Sequence, residues 1–437
     1  MYIEFYQELG EYNYLSNYSN YGFYINNIFY KTVEHYYQSE KYLDNEIRQK
    51  IINASTPQEA SMLGKEQENK IRKDFKLIKN AVMYKGIYEK FIQNKSIMYK
   101  LIETRNKKIV EKSVEEYYWG TSKDEPSDNN IGKILMKVRT DIKNQIVNTI
   151  LKECNEKVYV LGHANPDADS IFSSYILTQI LKSKKINAEF CILNKDYKFS
   201  NKDKELIEAF LPEEPTIITN TKDKKYILVD TNSKNDLINV IGAFDHHKIT
   251  GEIDHVLEME YSSTGLLIYD IFKDQYNFNE EERNLIALTV ITDTDYLCSK
   301  RFTKEDEYIY NKLNTNLNVS ELRKKYFKVT DFSKSIESNL KADYKEYNIN
   351  NKKIKRSILS SYNTDYKKYF NQYVKYLEKI DNYLMIWCNY ESQKTIIYYN
   401  KKIVKVDYIL TSTFIIINDI LCNEHELLTK KTKTLYK

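Results

Sequence analysis

The stretch Gly162-His163-Ala164-Asn165-Pro166-Asp167-Ala168-Asp169-Ser170 brings an imidazole and two carboxylates close together in sequence. Before it, Val158 to Leu161 reads as a buried strand; after it, Ile171 to Leu177 reads as the first turns of a helix. The acids and the histidine therefore fall at the carboxyl end of a strand, where open α/β sheets place their ligands. The bland alternative is a capping loop with Asp169 or Ser170 as N-cap. The pattern recurs, however. The run from Lys225 ends on Asp230, and the run from Val240 ends on Asp245-His246-His247-Lys248. An apolar helix from Glu282 to Ile291 ends on Thr292-Asp293-Thr294-Asp295. In a parallel sheet all strands deliver their carboxyl ends to one edge, so His163, Asp167, Asp169, Asp230, Asp245, His246 and His247 should meet there, with Asp293 joining from its helix end. Carboxylates and imidazoles without thiolates favour Mn, Mg or Co over structural zinc. The chain has only six histidines, so an adjacent pair is not compositional noise.

The elements that must position these groups alternate strand and helix from about residue 157. The 437 residues are enough for more than one core. We expect a multidomain α/β and α+β chain: a mostly helical segment over 1–150, a parallel-sheet domain over 157–316 and a smaller α/β lobe over 317–437. The charged stretch Leu151 to Lys157 marks the first boundary. In the last lobe, Val319 to Phe327, Phe332 to Tyr347 and Asp365 to Ile380 read as helices. Lys355 to Leu359, Tyr383 to Cys388 and Thr395 to Tyr399 read as strands.

The formal charge of +4, from 66 basic and 62 acidic residues, gives no general argument for nucleic acid or membrane binding. The five cysteines form no CxxC pair and fit a reducing compartment. Met1-Tyr2-Ile3-Glu4 is not a basic segment leading into an apolar one. The best apolar run, Tyr408 to Ile417, is far short of the ~20 residues that span a bilayer. We expect a soluble cytoplasmic protein with no membrane partner.

In the first segment, residues around Phe5 and from Tyr24 to Tyr30 suggest short strands. Thr32 can N-cap a helix carrying Val33, Tyr36, Tyr37 and Tyr42. Thr56-Pro57 opens a second helix, and a third spans Asp74 to Gln93. Glu34, Gln38 and Lys41 then share one helix face. With these come Tyr14-Leu15-Ser16-Asn17, Arg72-Lys73-Asp74-Phe75, Glu116-Tyr117-Tyr118-Trp119-Gly120 and Asn129-Asn130-Ile131-Gly132-Lys133. In these motifs residues 11–143 resemble the NADAR, or YbiA-like, family. The resemblance implies hydrolysis of an N-glycosidic bond, in phosphorylated ribosylamino intermediates of riboflavin synthesis or in ADP-ribose attached to guanine. The family's polar pocket maps onto Glu34, Lys41, Glu116, Trp119 and Asn129. A carboxylate there would steer water or stabilise an oxocarbenium-like centre, a lysine amine could attack the anomeric carbon, and Trp119 would stack on a base. The family usually has Asp where Glu116 stands.

The middle segment resembles the DHH phosphoesterase superfamily, most closely the family II, manganese-dependent inorganic pyrophosphatases. The carriers are residues 162–170, Val229-Asp230-Thr231-Asn232, Asp245-His246-His247-Lys248, Ser263-Thr264-Gly265 and Thr292-Asp293-Thr294 followed by Thr303 to Asp306. The resemblance implies two divalent ions, Mn preferred with Co or Mg as alternatives. One ion takes His163, Asp167 and Asp230; the other takes Asp169, Asp230, His246 and Asp293. His247 would act as general acid, Asp245 would orient the imidazoles, and Lys248 would help bind substrate. The family usually has His where Thr231 stands.

The last lobe resembles the DHH-associated second domain of those pyrophosphatases, through Ala342-Asp343-Tyr344-Lys345-Glu346-Tyr347. By that resemblance Lys345 binds substrate phosphate, and Lys430 and Lys431 stand where the family carries a basic signature containing Arg. The expected partners are small phosphorylated substrates, with ADP-ribosylated nucleic acid as a further substrate class and a homodimer through the DHH domain. Two other readings stay open: a DHH phosphodiesterase acting on a nucleotide, and a first domain that senses a ligand without turnover.

Overall fold

The computed structural model describes residues 2–6, 10–66, 68–112, 118–121, 128–193, 203–234, 237–297, 299, 301–326, 329–349, 351–361, 366–390, 392, 394–399 and 401–406. Backbone contacts divide the chain into two compact units, residues 1–160 with 181–189 and 220–260, and residues 161–180 with 190–219 and 261–437.

The amino-terminal part of the first unit is mixed and mostly helical. Strand β1 (Tyr2–Phe5) is followed by the hairpin β2 (Phe23–Ile25) and β3 (Ile28–Tyr30). Then come α1 (Val33–Ser39), α2 (Asn45–Asn53), α3 (Pro57–Glu66), α4 (Phe75–Gln93), α5 (Lys95–Glu103), β4 (Lys108–Glu111) and α6 (Asn130–Glu153), with β4 parallel to β1. Thr32 N-caps α1, as its sequence predicts, accepting from the His35 N–H. The α1 helix ends sooner than expected, at Ser39. Tyr42 is drawn instead into a bridge with Ile71, with its hydroxyl donating to the Gly64 carbonyl at 2.9 Å, so Lys41 lies beyond the helix. The same unit holds β8 (Lys225–Val229), β9 (Val240–Asp245) and β10 (Val256–Glu258). Helix α6 runs on past residue 150, and Ile150 packs against Gly242 in β9, where a Cβ would meet Ile150 Cγ1 at 2.5 Å.

Strands β5 (Val158–Leu161), β6 (Ala188–Leu193) and β7 (Thr216–Ile218), with β8 to β10, make a six-stranded sheet of order β10-β9-β8-β5-β6-β7. The alternation of strand and helix therefore gives the expected parallel sheet. In the second unit lie most of α7 (Ala168–Ser183) and all of α8 (Lys204–Phe210), α9 (Thr264–Phe272), α10 (Glu280–Asp293), α11 (Lys304–Lys312) and α12 (Val319–Tyr326). Capping boxes, Asn279 with Glu282 and Thr303 with Asp306, start α10 and α11.

The last lobe has α13 (Ile336–Ala342), β11 (Tyr344–Ile349), β12 (Lys352–Ser361), α14 (Tyr366–Leu377), β13 (Tyr383–Asn389), β14 (Lys394–Tyr399) and β15 (Lys402–Val406), the strands in sequence order. The helix expected over 332–347 is thus a short helix followed by a strand. Tyr344 to Ile349 pair antiparallel with β12, which places Lys345 opposite Arg356 on an edge strand. The core of this lobe is Trp387, fully buried, stacked on Phe332 at 5.1 Å and donating from Nε1 to Ser361 Oγ at 2.9 Å.

Candidate active sites

The loop after β5 needs glycine. A Cβ on Gly162 would meet Ser170 Oγ at 1.6 Å, and that oxygen accepts from the His163 N–H at 3.2 Å. Asp167 Oδ1 accepts from the Ser170 N–H at 3.1 Å and lies 3.8 Å from His163 Nε2. Asp169 is fully buried. Its carboxylate accepts from the Thr264 N–H at 2.7 Å, the Gly265 N–H at 3.0 Å and the Ser173 hydroxyl at 2.8 Å. Asp169 thus ties α7 to the amino end of α9, where free N–H groups favour an anion.

At the end of β8, Asp230 is 3 % exposed and takes a positive φ of 57°, a strained conformation for a residue with a Cβ. His246 Nε2 lies 3.2 Å and His247 Nδ1 3.7 Å from Asp230 Oδ1. Asp245 Oδ1 accepts from the His247 backbone N–H at 3.1 Å and lies 2.9 Å from its Nδ1. Asn232 is the residue that sequence reasoning missed. It donates to Asp245 Oδ2 at 2.6 Å and to the Lys248 carbonyl at 3.1 Å, and accepts from the Thr250 N–H at 2.7 Å. One buried amide thereby knits the Asp-His-His loop together. Its signal was present, two residues past the strand-end Asp.

Asp230, His246 and His247 each offer a ligand atom, all within 4.8 Å of one another. The donors fit a divalent cation. A buried carboxylate ringed by imidazole nitrogens is costly without positive charge, and an ion supplies it. Lys248 is exposed beside this loop, and Lys345 is exposed on β11. Lys430 and Lys431 lie outside the described residues, as does Glu116.

In the amino-terminal part, Glu34 is 6 % exposed and accepts from Gln38 Nε2 at 2.6 Å. Lys41 donates to the Gly64 carbonyl at 3.3 Å, with its ammonium 5.7 Å from the Tyr37 ring centroid. Tyr37 meets Trp119 edge-on at 5.5 Å. Glu34, Lys41 and Trp119 are thus joined through the Tyr37 segment. Asn129 stands where α6 begins. It N-caps α6 in the left-handed region, its amide donates to the Ile109 carbonyl at 2.8 Å, and its oxygen accepts from the Glu111 N–H at 3.1 Å. Its side chain thereby ties the start of α6 to β4. His35 is a core residue, its Nε2 3.1 Å from the Ala54 carbonyl and its pKa lowered by burial. Lys90 is fully buried and donates to the Tyr14 and Ser16 carbonyls and to Ser19 Oγ at 2.7 to 2.9 Å. Burial pushes its pKa down to about 7.

Residues 4–143 match the NADAR domain. An N-glycosidase of Nostoc punctiforme is 35% identical over 147 residues, 33% of this chain and 94% of that protein. The chain belongs to the NADAR family. N-glycosidase YbiA of Escherichia coli is 30% identical to the NADAR domain over 140 residues, 32% of this chain and 88% of that protein. A riboflavin biosynthesis protein of Vibrio vulnificus is 29% identical over 141 residues, 32% and 38% of the two chains. Behind the NADAR domain, residues 157–292 match the DHH family, N-terminal domain. Among solved structures, a Methanococcus jannaschii protein provisionally assigned as a family II inorganic pyrophosphatase is 21% identical with a TM-score of 0.42, over 58% of this chain and 95% of that one. An exopolyphosphatase-related protein of Bacteroides fragilis is 15% identical with a TM-score of 0.39, over 68% and 98%. No helix among the described residues is long and apolar enough to cross a membrane.

Proposed function

We propose that the chain is a bifunctional hydrolase. Its DHH part cleaves a phosphoanhydride, inorganic pyrophosphate first among candidates, and its NADAR domain cleaves an N-glycosidic bond. The observation that carries the first half is the buried Asp230 carboxylate facing the His246 and His247 nitrogens. By the family resemblance, the proposed ligand sets are His163, Asp167 and Asp230 for one ion, and Asp169, Asp230, His246 and Asp293 for the other. Bound Mn²⁺, or Co²⁺ or Mg²⁺ in its place, would lower the pKa of a water and neutralise phosphoryl charge. The chain's own groups do the rest. Asp245 holds the His247 ring, which passes a proton to the leaving phosphate, while Lys248 and Lys345 attract the anion as point charges. By the family resemblance, Lys430 and Lys431 are proposed to bind the phosphate as well.

In the NADAR domain, Glu34 and Glu116 stabilise positive charge at the anomeric carbon, Lys41 provides the amine and Trp119 stacks on the base. This half is supported by the N-glycosidase names of the relatives. A mass-spectrometric product screen of the full chain with Mn²⁺ tests both halves. We expect orthophosphate from pyrophosphate, and free base from a ribosylaminopyrimidine phosphate that is lost in Lys41→Ala. Cleavage of a nucleotide phosphodiester with pyrophosphate left intact would contradict the first half. Release of base undiminished in Lys41→Ala would contradict the second.

A further inference from the structure

Lys79, in the first turns of α4, belongs to no motif of either family resemblance, yet it sits on the NADAR domain's aromatic wall. Its ammonium lies 3.2 Å from the Tyr118 ring centroid and 5.9 Å from that of Trp119. The two rings are perpendicular at 4.9 Å. The wall is held from two sides. Tyr118 hydroxyl donates to Asn80 Oδ1 at 2.9 Å, and the Tyr118 and Trp119 carbonyls accept from the Asn130 side chain at 2.8 Å and the Ile131 N–H at 3.1 Å at the start of α6. From Trp119 the rings continue to Tyr37 and so to Lys41. An aromatic wall thus carries one lysine at each end, Lys41 by Tyr37 and Lys79 by Tyr118.

Lys79 has no carboxylate partner among the described residues, whereas the nearby Arg72 is closed on Asp74 by two bonds of 2.7 Å. Lys76, on the same face one turn earlier, is exposed and adds positive field. A cation fixed by ring faces has its remaining N–H directions turned away from those faces, toward whatever lies along the wall.

We propose that Lys79 is a specificity-determining residue that binds the phosphate on the sugar of the NADAR substrate, while the base lies on Trp119. The proposal rests on the glycosidase reading. It assigns Lys41 to the anomeric carbon and Lys79 to the phosphate of one ligand. Lysine suits the task as a mobile point charge, so Arg should substitute in part.

The test compares wild type, Lys79→Gln and Lys79→Arg of the full chain on a ribosylaminopyrimidine 5′-phosphate and its dephosphorylated form, with thermal melting to confirm folding. We expect Lys79→Gln to raise KM for the phosphorylated compound about ten-fold with kcat nearly kept, and Lys79→Arg to recover most of that loss. We expect wild type to discriminate against the dephosphorylated compound by about the same factor. Equal effects on the two compounds, or none, would overturn the proposal. Should wild type turn over neither compound, the glycosidase reading fails on its own and ribose 5-phosphate decides the Lys79 site. Of the two tryptophans, Trp387 is fully buried in the last lobe, so fluorescence changes report Trp119. A ribose 5-phosphate response that Lys79→Gln removes upholds the site; an absent or unchanged response overturns it.

Discussion

Asn232 contacts Asp245 and the His-His loop without being a ligand in any proposed set, so it separates support from chemistry at the scale of single residues. Asn232→Ala should lower metal-dependent phosphate release about 10- to 100-fold, the range typical of lost outer contacts at metal sites. Steady-state rates against Mn²⁺ concentration would check this, and an unchanged metal dependence would remove Asn232 from the account. Lys90 makes a different prediction. Between its folded pKa of about 7 and the ordinary value of 10.5, the folded protein binds fewer protons than the unfolded chain. Stability must therefore rise with pH across that window, by at most about 1.4 kcal/mol per pH unit. Urea unfolding between these pH values should show a slope that Lys90→Met flattens; parallel slopes would contradict it. The strand-end acids and histidines were readable because apolar runs ending on Asp or His are a local pattern. The roles of Asn232 and Lys90 were not, since Asn232 acts through its bonds to the 245–250 loop and Lys90 through burial, and no sequence period marks either.

At the scale of elements, the loop between β5 and α7 depends on the absence of one Cβ. Gly162→Ala would force Ser170 away, losing its bond to the His163 N–H and costing roughly 1–3 kcal/mol by the usual price of overpacking. Thermal melting reads the loss, and calorimetry with Mn²⁺ should show weakened binding; a variant as stable and as tight as wild type would refute the role given to the loop. Most helices and strands were legible from their caps and periods, as at Thr32 and over Phe75–Gln93. Two were misjudged for one reason. Both Lys41 and Lys345 sit in polar, tyrosine-rich sequence of helical appearance, where strand pairing overrides helix propensity: Tyr42 bridges the distant Ile71, and β11 closes a hairpin with the adjoining β12.

At the scale of the whole molecule, the join between the NADAR and DHH segments is a helix rather than a loose linker. Helix α6 begins against the Tyr118-Trp119 wall and ends with Ile150 filling the space that Gly242 leaves on β9. A fragment starting at residue 157 removes that cover, and we expect it to melt lower than one starting at residue 130, which keeps α6. Equal melting temperatures would show that α6 contributes nothing to the sheet. The central claim concerns the phosphoryl site, and one comparison tests it most directly: orthophosphate released from pyrophosphate by the full chain with Mn²⁺, wild type against Asp230→Asn. The account predicts release by wild type and a loss of at least about 100-fold in the variant, with weakened Mn²⁺ binding. No release by wild type, or release untouched by Asp230→Asn, would contradict it.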